Sequence, residues 1–278
     1  MSTCAGKVRK IASNFGEGAW RTLGWPGYFR YLGTATFDLP RVLGSGDLRP
    51  VDQDMTGVWT LRHPVSGRTV RVDLSAYRAG DDDERSWTFG LIREIWIRGL
   101  YLRPFAFPGG ALGCVLDLGA NRGIFALQAA AIANRVIAVE PNAGYAQPLA
   151  RNLELNGYAH VEVINAMVGS PAAMELPDAR WIGLQDLVAL SGDLTLDLVK
   201  IDIEGSEFGL DLDALVPASR IAMELHPRWG QPSALHARLQ ALGFDCRTFD
   251  ESMEPVKPAQ ADFLFAVNTR DPQARWAS

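Results

Sequence analysis

The chain has 278 residues, 47% of them hydrophobic and 21% charged, enough for a large buried core in one large domain or in one domain with a substantial extension. A net charge of -5 argues against a broad basic face for nucleic acid or anionic membrane. Cys4, Cys114 and Cys246 are far apart, with no metal-ligand spacing, as expected of free thiols in a reducing compartment.

In chain order, Lys7, Arg9 and Lys10 are followed by Asn14, Gly16, Glu17 and Gly18 rather than by an apolar run, so no secretory signal is read there. Residues 7–35 read as helical, with breaks at Gly24 and Pro26. Gly57–Leu61 and Thr69–Val72 alternate as a hairpin around Pro64-Val65-Ser66-Gly67. Ser86–Arg98 reads as a helix opened by the acidic run Asp81–Glu84, which suits the positive end of its dipole. Trp20, Trp25, Trp59, Trp87 and Trp96 crowd this part, as core or as an acceptor pocket.

The character changes near Pro108-Gly109-Gly110. Strands are expected at Cys114–Leu118, Val136–Val139, Val161–Asn165, Leu196–Ile203 and Ile221–Leu225, and helices at Ile124–Ala133 and Tyr145–Asn156. Asp211–Leu215 offers a short helical turn, and Pro232–Leu242 a helix closed by Gly243. Ile124–Ala133 is too short to span a bilayer, so the expectation is a soluble, cytoplasmic protein without a membrane partner. Alternating strands and helices predict an α/β fold with a mainly parallel sheet and right-handed crossovers. Phe244–Phe249 and Asp262–Val267 are joined by a loop alone, so the last strand should run antiparallel. The expected division is an N-terminal α+β cap at 1–110, a cofactor-binding domain at 111–270 and a tail at 271–278.

The segment Asp117-Leu118-Gly119-Ala120-Asn121-Arg122-Gly123 puts a glycine turn between strand and helix, where open α/β sheets bind ligands. Gly119 permits the tight turn, and Gly123 close packing of helix on strand. Glu140 ends the next strand, where its carboxylate can take both ribose hydroxyls. A dinucleotide site wants glycine where Asn121 stands. An acid at Asp117 would repel phosphate yet suits the ammonium of a methionine. This pattern favours S-adenosyl-L-methionine over NAD.

With VEPNAGYAQPLARNLELNG (139–157), NAMVGS (165–170), LVKIDIEGSEFGL (198–210) and ELHP (224–227), the segment resembles the FkbM-type methyltransferases over roughly residues 85–268. The resemblance implies a Rossmann-like class I methyltransferase fold and O-methylation of a hydroxyl on a sugar, glycan or natural product. Asp117, Gly119 and Asn121, with Ala120 and Gly123 of the same turn, would line the methionine end. Glu140 would hold the ribose, and Pro141-Asn142 with Asn165-Ala166 would flank the adenine. Trp87–Tyr101 looks like the stretch that precedes the domain in this family. Where the family often has a glutamate shortly before the tyrosine, Arg98 stands instead, and it takes no role.

For the chemistry, Lys200, Asp202 and Glu204 alternate along one strand and so should share a face, and Glu224 and His226 repeat the pattern on the next. A hydroxyl must lose its proton, and the order of preference for the base is His226, Asp202, Glu204. Lys200 and Asp202 read equally well as an internal pair that closes the strand end. These acids and His226 could instead hold a divalent ion, though no spacing demands one. His63, His160 and His236 fall on turns or helix surfaces and take no role. Two readings compete: a nicotinamide oxidoreductase, disfavoured by Asn121 and by the lack of a Tyr-x-x-x-Lys pair, and a non-catalytic binding protein. An oligomer is left open.

Overall fold

The structure is a computed structural model that describes residues 15–45, 47–77, 88–108, 111–169 and 180–277. Two compact units emerge, Met1–Leu100 with Gln147–Tyr158, and Tyr101–Ala146 with Ala159–Ser278.

In the first unit, α1 (Glu17–Phe37) kinks at Gly24 (φ 63°), two residues before Pro26, as the sequence leads one to expect. The short helices α2 (Leu39–Ser45) and α3 (Arg49–Asp54) lead into the hairpin of β1 (Val58–Arg62) and β2 (Thr69–Asp73). His63, expected on a surface turn, is buried: its Nδ1 accepts the Val65 and Ser66 N–H groups at 3.2 and 3.1 Å and so holds the hairpin loop. The helix expected at Ser86–Arg98 is seen from α4 (Thr88–Leu91) into a π-helical turn at Ile92–Ile97. The acidic run Asp81–Glu84 and Trp87 lie outside the described residues. Trp59 and Trp96 are core, whereas Trp25 is exposed and stacks on Trp20 at 5.3 Å.

The second unit is built on a seven-stranded sheet. After the short β3 (Phe105–Ala106) come β4 (Leu112–Leu118), α5 (Ile124–Ala130) and β5 (Ala133–Val139). Helix α6 (Ala146–Asn156) joins β5 to β6 (Val161–Ile164), and all but its first residue belongs to the first unit. The parallel pair β7 (Met167–Val168) and β8 (Trp181–Ile182) and helix α7 (Leu184–Ala189) follow, elements with too few residues to show a period in the sequence. Then come β9 (Leu196–Ile201), β10 (Arg220–Glu224), α8 (Pro232–Ala241), β11 (Phe244–Phe249) and β12 (Phe263–Asn268).

The sheet order is β11-β12-β10-β9-β4-β5-β6, parallel except for β12, which runs antiparallel between β10 and β11. This is a Rossmann-like, mainly parallel α/β sheet with the expected antiparallel final strand. Every residue of β4 and of β12 is buried, because both faces of the sheet are covered. The chain leaves β4 toward β5 on one side and returns to β9 on the other, so the crevice for a ligand opens at the C-terminal ends of these strands. Leu118 pairs with both Val139 and Ile201, so the three ends are level. Within the expected tail, β13 (Arg275–Trp276) pairs with β3, and the Trp276 indole N–H donates to Asp245 Oδ2 at 2.7 Å. Among the described residues no helix is long and apolar enough to cross a membrane.

Candidate functional site

The turn after β4 is held from both sides. Gly119 N and Ala120 N donate to Val139 O, each at 2.9 Å. Gly119, Asn121 and Gly123 all have positive φ (76°, 49° and 73°). A Cβ at Gly119 would overlap the Asp202 carbonyl oxygen, so this glycine answers to a neighbouring strand as well as to its own turn.

Glu140 reaches back over this turn. Its Oε2 accepts Asn121 N and its Oε1 accepts Asn142 N, both at 2.8 Å. Each oxygen keeps acceptor capacity for one further donor. Burial pushes the carboxyl up, against the pull of those two N–H groups. Asn165 is exposed, and its amide nitrogen donates to the carbonyls of Glu140 and Pro141 at 2.9 and 2.8 Å, fixing the loop after β5. Asn142 caps the next turn by accepting Gly144 N at 2.9 Å, and Ala166 is buried. The residues expected around a nucleoside are therefore together on the ends of β4, β5 and β6.

The Asp117 carboxylate is fully buried, 3.2 Å from Lys200 Nζ. Lys200 lies directly opposite Asp117 in the β4–β9 register, and its ammonium also donates to Gly119 O at 2.6 Å and lies 3.5 Å from Asp202 Oδ2. Burial would strip the proton from Lys200, but Asp117 and Asp202 outweigh it and keep the ammonium charged. Lys200 is the internal pair partner, for two acids rather than one.

Nor do Asp202 and Glu204 meet by strand alternation. Strand β9 stops at Ile201, and Glu204 (φ 56°) and Gly205 (φ 108°) are both left-handed. That turn, not the pleat, sets the Glu204 carboxylate 3.4 Å from His226 Nε2. Asp202, Glu204 and His226 each offer a ligand atom, and these atoms lie within 4.8 Å of one another.

Two further residues complete the site. Glu207, fully buried, accepts His226 N at 2.8 Å and His226 Nδ1 at 3.0 Å on one oxygen, and Gly205 N at 2.8 Å on the other. Burial pushes Glu207 up, but these hydrogen bonds prevail and hold it below the usual carboxylate range. The bond from His226 to Glu207 in turn raises the imidazole to about 9. With nothing else bound, His226 is thus an imidazolium at neutral pH and not the partly neutral base that its type suggests. Tyr101 is the second: its hydroxyl lies 3.3 Å from Asp202 Oδ2 and 3.1 Å from Glu224 Oε2. Burial, then Asp202, pushes Glu224 up to about 8. Glu207 stands in the motif quoted above without a role, and its place three residues beyond Glu204 is its one signal. Tyr101 closes the stretch Trp87–Tyr101 noted above, but its partners are not readable there, because both acids it touches are distant in sequence.

No protein-family model matches the chain, and no curated protein matches it in sequence. Solved structures do resemble it. An rRNA methylase from Streptococcus thermophilus is 12% identical with a TM-score of 0.40, covering 57% of this chain and 87% of that one. A methyltransferase from Geobacter sulfurreducens is 18% identical with a TM-score of 0.37, covering 62% of this chain and 76% of that one. Methyltransferase FkbM from Methylobacillus flagellatus is 14% identical with a TM-score of 0.41, covering 70% of this chain and 58% of that one. At such values the likeness decides nothing about activity.

Proposed function

We propose that the chain is an S-adenosylmethionine-dependent O-methyltransferase acting on a hydroxyl of a sugar, glycan or natural product. The observation that carries this reading is the Glu140 carboxylate at the switch point of the sheet, tied by Asn121 N and Asn142 N with one acceptor position left on each oxygen. That is the donor–acceptor match to a ribose diol. The tight turn at Gly119, Ala120, Asn121 and Gly123 has asparagine where a dinucleotide site wants its middle glycine, which weighs against NAD. Asp117 supports the turn from inside through Lys200 and Gly119 O, so its part in binding is to position rather than to touch. Pro141, Asn142, Asn165 and Ala166 would flank the base.

When bound, S-adenosylmethionine supplies an electrophilic methyl carbon. The chain's task is then to hold an acceptor oxygen in line with it, which accounts for most of the acceleration in such a displacement. Asp202, Glu204 and His226 are the groups at hand to bind the acceptor, and the two carboxylates are those that can take its proton. Trp229, 59% exposed and packed on the Gly205 backbone, offers a flat apolar face beside them for a sugar or similar ring. The net charge of -5 weighs against a nucleic-acid acceptor and suits a small or glycan one. A cytoplasmic setting fits free Cys114 and Cys246.

Calorimetry tests the reading. S-adenosylmethionine and its demethylated product should bind, NAD should not, and Glu140→Ala should weaken binding by about 1.5–3 kcal/mol. Binding of NAD alone would end it.

A further inference from the structure

We infer that Asp202, Glu204 and His226 form a divalent-cation site at the ends of β9 and β10. Their candidate ligand atoms, two carboxylate oxygens and an imidazole nitrogen, lie within 4.8 Å of one another, so one ion can reach all three after small side-chain rotations. The site stands on these side chains alone and does not depend on the methyl-transfer reading.

Three features point to an ion rather than to a chance cluster. The first is how His226 is held. Glu207 carries no exposed surface, and it accepts both the backbone N–H and Nδ1 of His226. A carboxylate fixed on Nδ1 selects the tautomer whose Nε2 carries the lone pair, and it raises the basicity of that nitrogen. Nε2 is the atom that faces Glu204, at 3.4 Å. The second is charge. Three acids, Asp202, Glu204 and Glu207, gather around the single His226 ring, and the buried Lys200 ammonium beside Asp202 is also engaged by Asp117 and by Gly119 O. The third is Tyr101, whose hydroxyl lies 3.3 Å from Asp202 Oδ2 and 3.1 Å from Glu224 Oε2 and so holds the Asp202 carboxylate in place, as an ordered ligand requires.

Two carboxylates and one imidazole suit an ion such as Mn²⁺ or Fe²⁺ better than soft metals, which want thiolate. Three protein ligands leave open positions on a six-coordinate ion. The Glu204 side chain is 81% exposed and that of Asp202 26%, so water or an acceptor oxygen can reach them. Once ligated, His226 Nε2 has no lone pair left for proton transfer, so the histidine acts as a ligand and not as the base.

The test is a titration of the chelator-treated full chain with Mn²⁺ alone, with free ion read by electron paramagnetic resonance. One ion should bind per chain. Glu204→Gln, a change on the surface that cannot unfold the protein, should weaken binding by about tenfold or more. Glu207→Gln, which touches no ion, should weaken it by about 10–100-fold, the scale for a residue that orients a metal-binding histidine. Circular dichroism of each variant checks that it is folded. Absence of one-to-one binding to the wild-type chain, or equal binding by wild type and Glu204→Gln, would overturn the site. Either failure leaves the binding of S-adenosylmethionine untouched and measurable by itself.

Discussion

Gly119 and Gly157 have nearly the same positive φ, 76° and 68°, yet their surroundings are opposite. The space beside Gly119 holds the Asp202 carbonyl, and nothing lies within 4 Å of where a Gly157 side chain would start. Gly157→Ala should therefore cost the left-handed strain alone, about 1–2 kcal/mol. Gly119→Ala must also part β4 from β9 and should cost at least about 3 kcal/mol. Urea denaturation of the two variants separates the effects, and similar losses would mean that the β4–β9 crossing yields easily. Lys200 supports the same crossing by charge. Lys200→Met leaves Asp117 fully buried without its cation, at an expected loss of about 3–5 kcal/mol, and adding Asp117→Asn should restore a large part of it. A double variant no more stable than the single one would show that the pair is not what Lys200 is there for. The sequence displays Gly119, Asp117 and Lys200 in recognisable motifs, but their mutual roles are invisible in it. They arise from the register Asp117↔Lys200, and a motif read along one strand says nothing about its neighbour.

At the scale of elements, the long strands and helices were readable because each has enough residues to show a period or a closing glycine: β11 matches its expected bounds at Phe244–Phe249, and Gly243 (φ 93°) follows α8 as a left-handed cap should. Where reading by period fails is at the ends. The alternation Lys200, Asp202, Glu204 continues the pattern of a strand that has already stopped at Ile201. Helix α6 shows another limit. Its amphipathic pattern marks it as a helix, but its polar residues Asn152 and Asn156 face the β1–β2 hairpin of the first unit, which no local pattern reveals. Buried Asn152 accepts Asp73 N at 2.6 Å and donates to Tyr77 Oη at 3.3 Å, and Asn156 bonds both the N–H and the carbonyl of Arg71, at 2.8 and 2.7 Å. Asn152→Leu keeps the branched shape but strands the Asp73 N–H, and it should cost about 1–3 kcal/mol in thermal or chemical unfolding. Asn156→Ala, at a half-buried position, should cost less. A neutral Asn152→Leu would mean that water reaches Asp73 N once the amide is gone.

The molecule as a whole divides differently from the simple order of its sequence. A boundary near residue 110 treats everything after it as a self-sufficient cofactor domain, but Gln147–Tyr158 clusters with Met1–Leu100. The segment carries buried Leu149, Leu153 and Asn152, and the partners of Asn152 and Asn156 lie on β2 and at Tyr77. A fragment 101–278 would present those apolar side chains to water on a helix of 11 residues, too short to hold its shape unaided. With α6 frayed, the link between β5 and β6 loses its order, and β6 is the edge strand beside Glu140 and Asn165. Removing residues 1–100 should therefore yield a fragment that aggregates or melts without a sharp transition, and that binds S-adenosylmethionine more weakly than the full chain. Supplying residues 1–100 as a separate co-expressed chain should restore cooperative melting. Differential scanning calorimetry decides: a fragment 101–278 that melts in one sharp transition near the full chain's temperature would show that α6 needs nothing from the first unit.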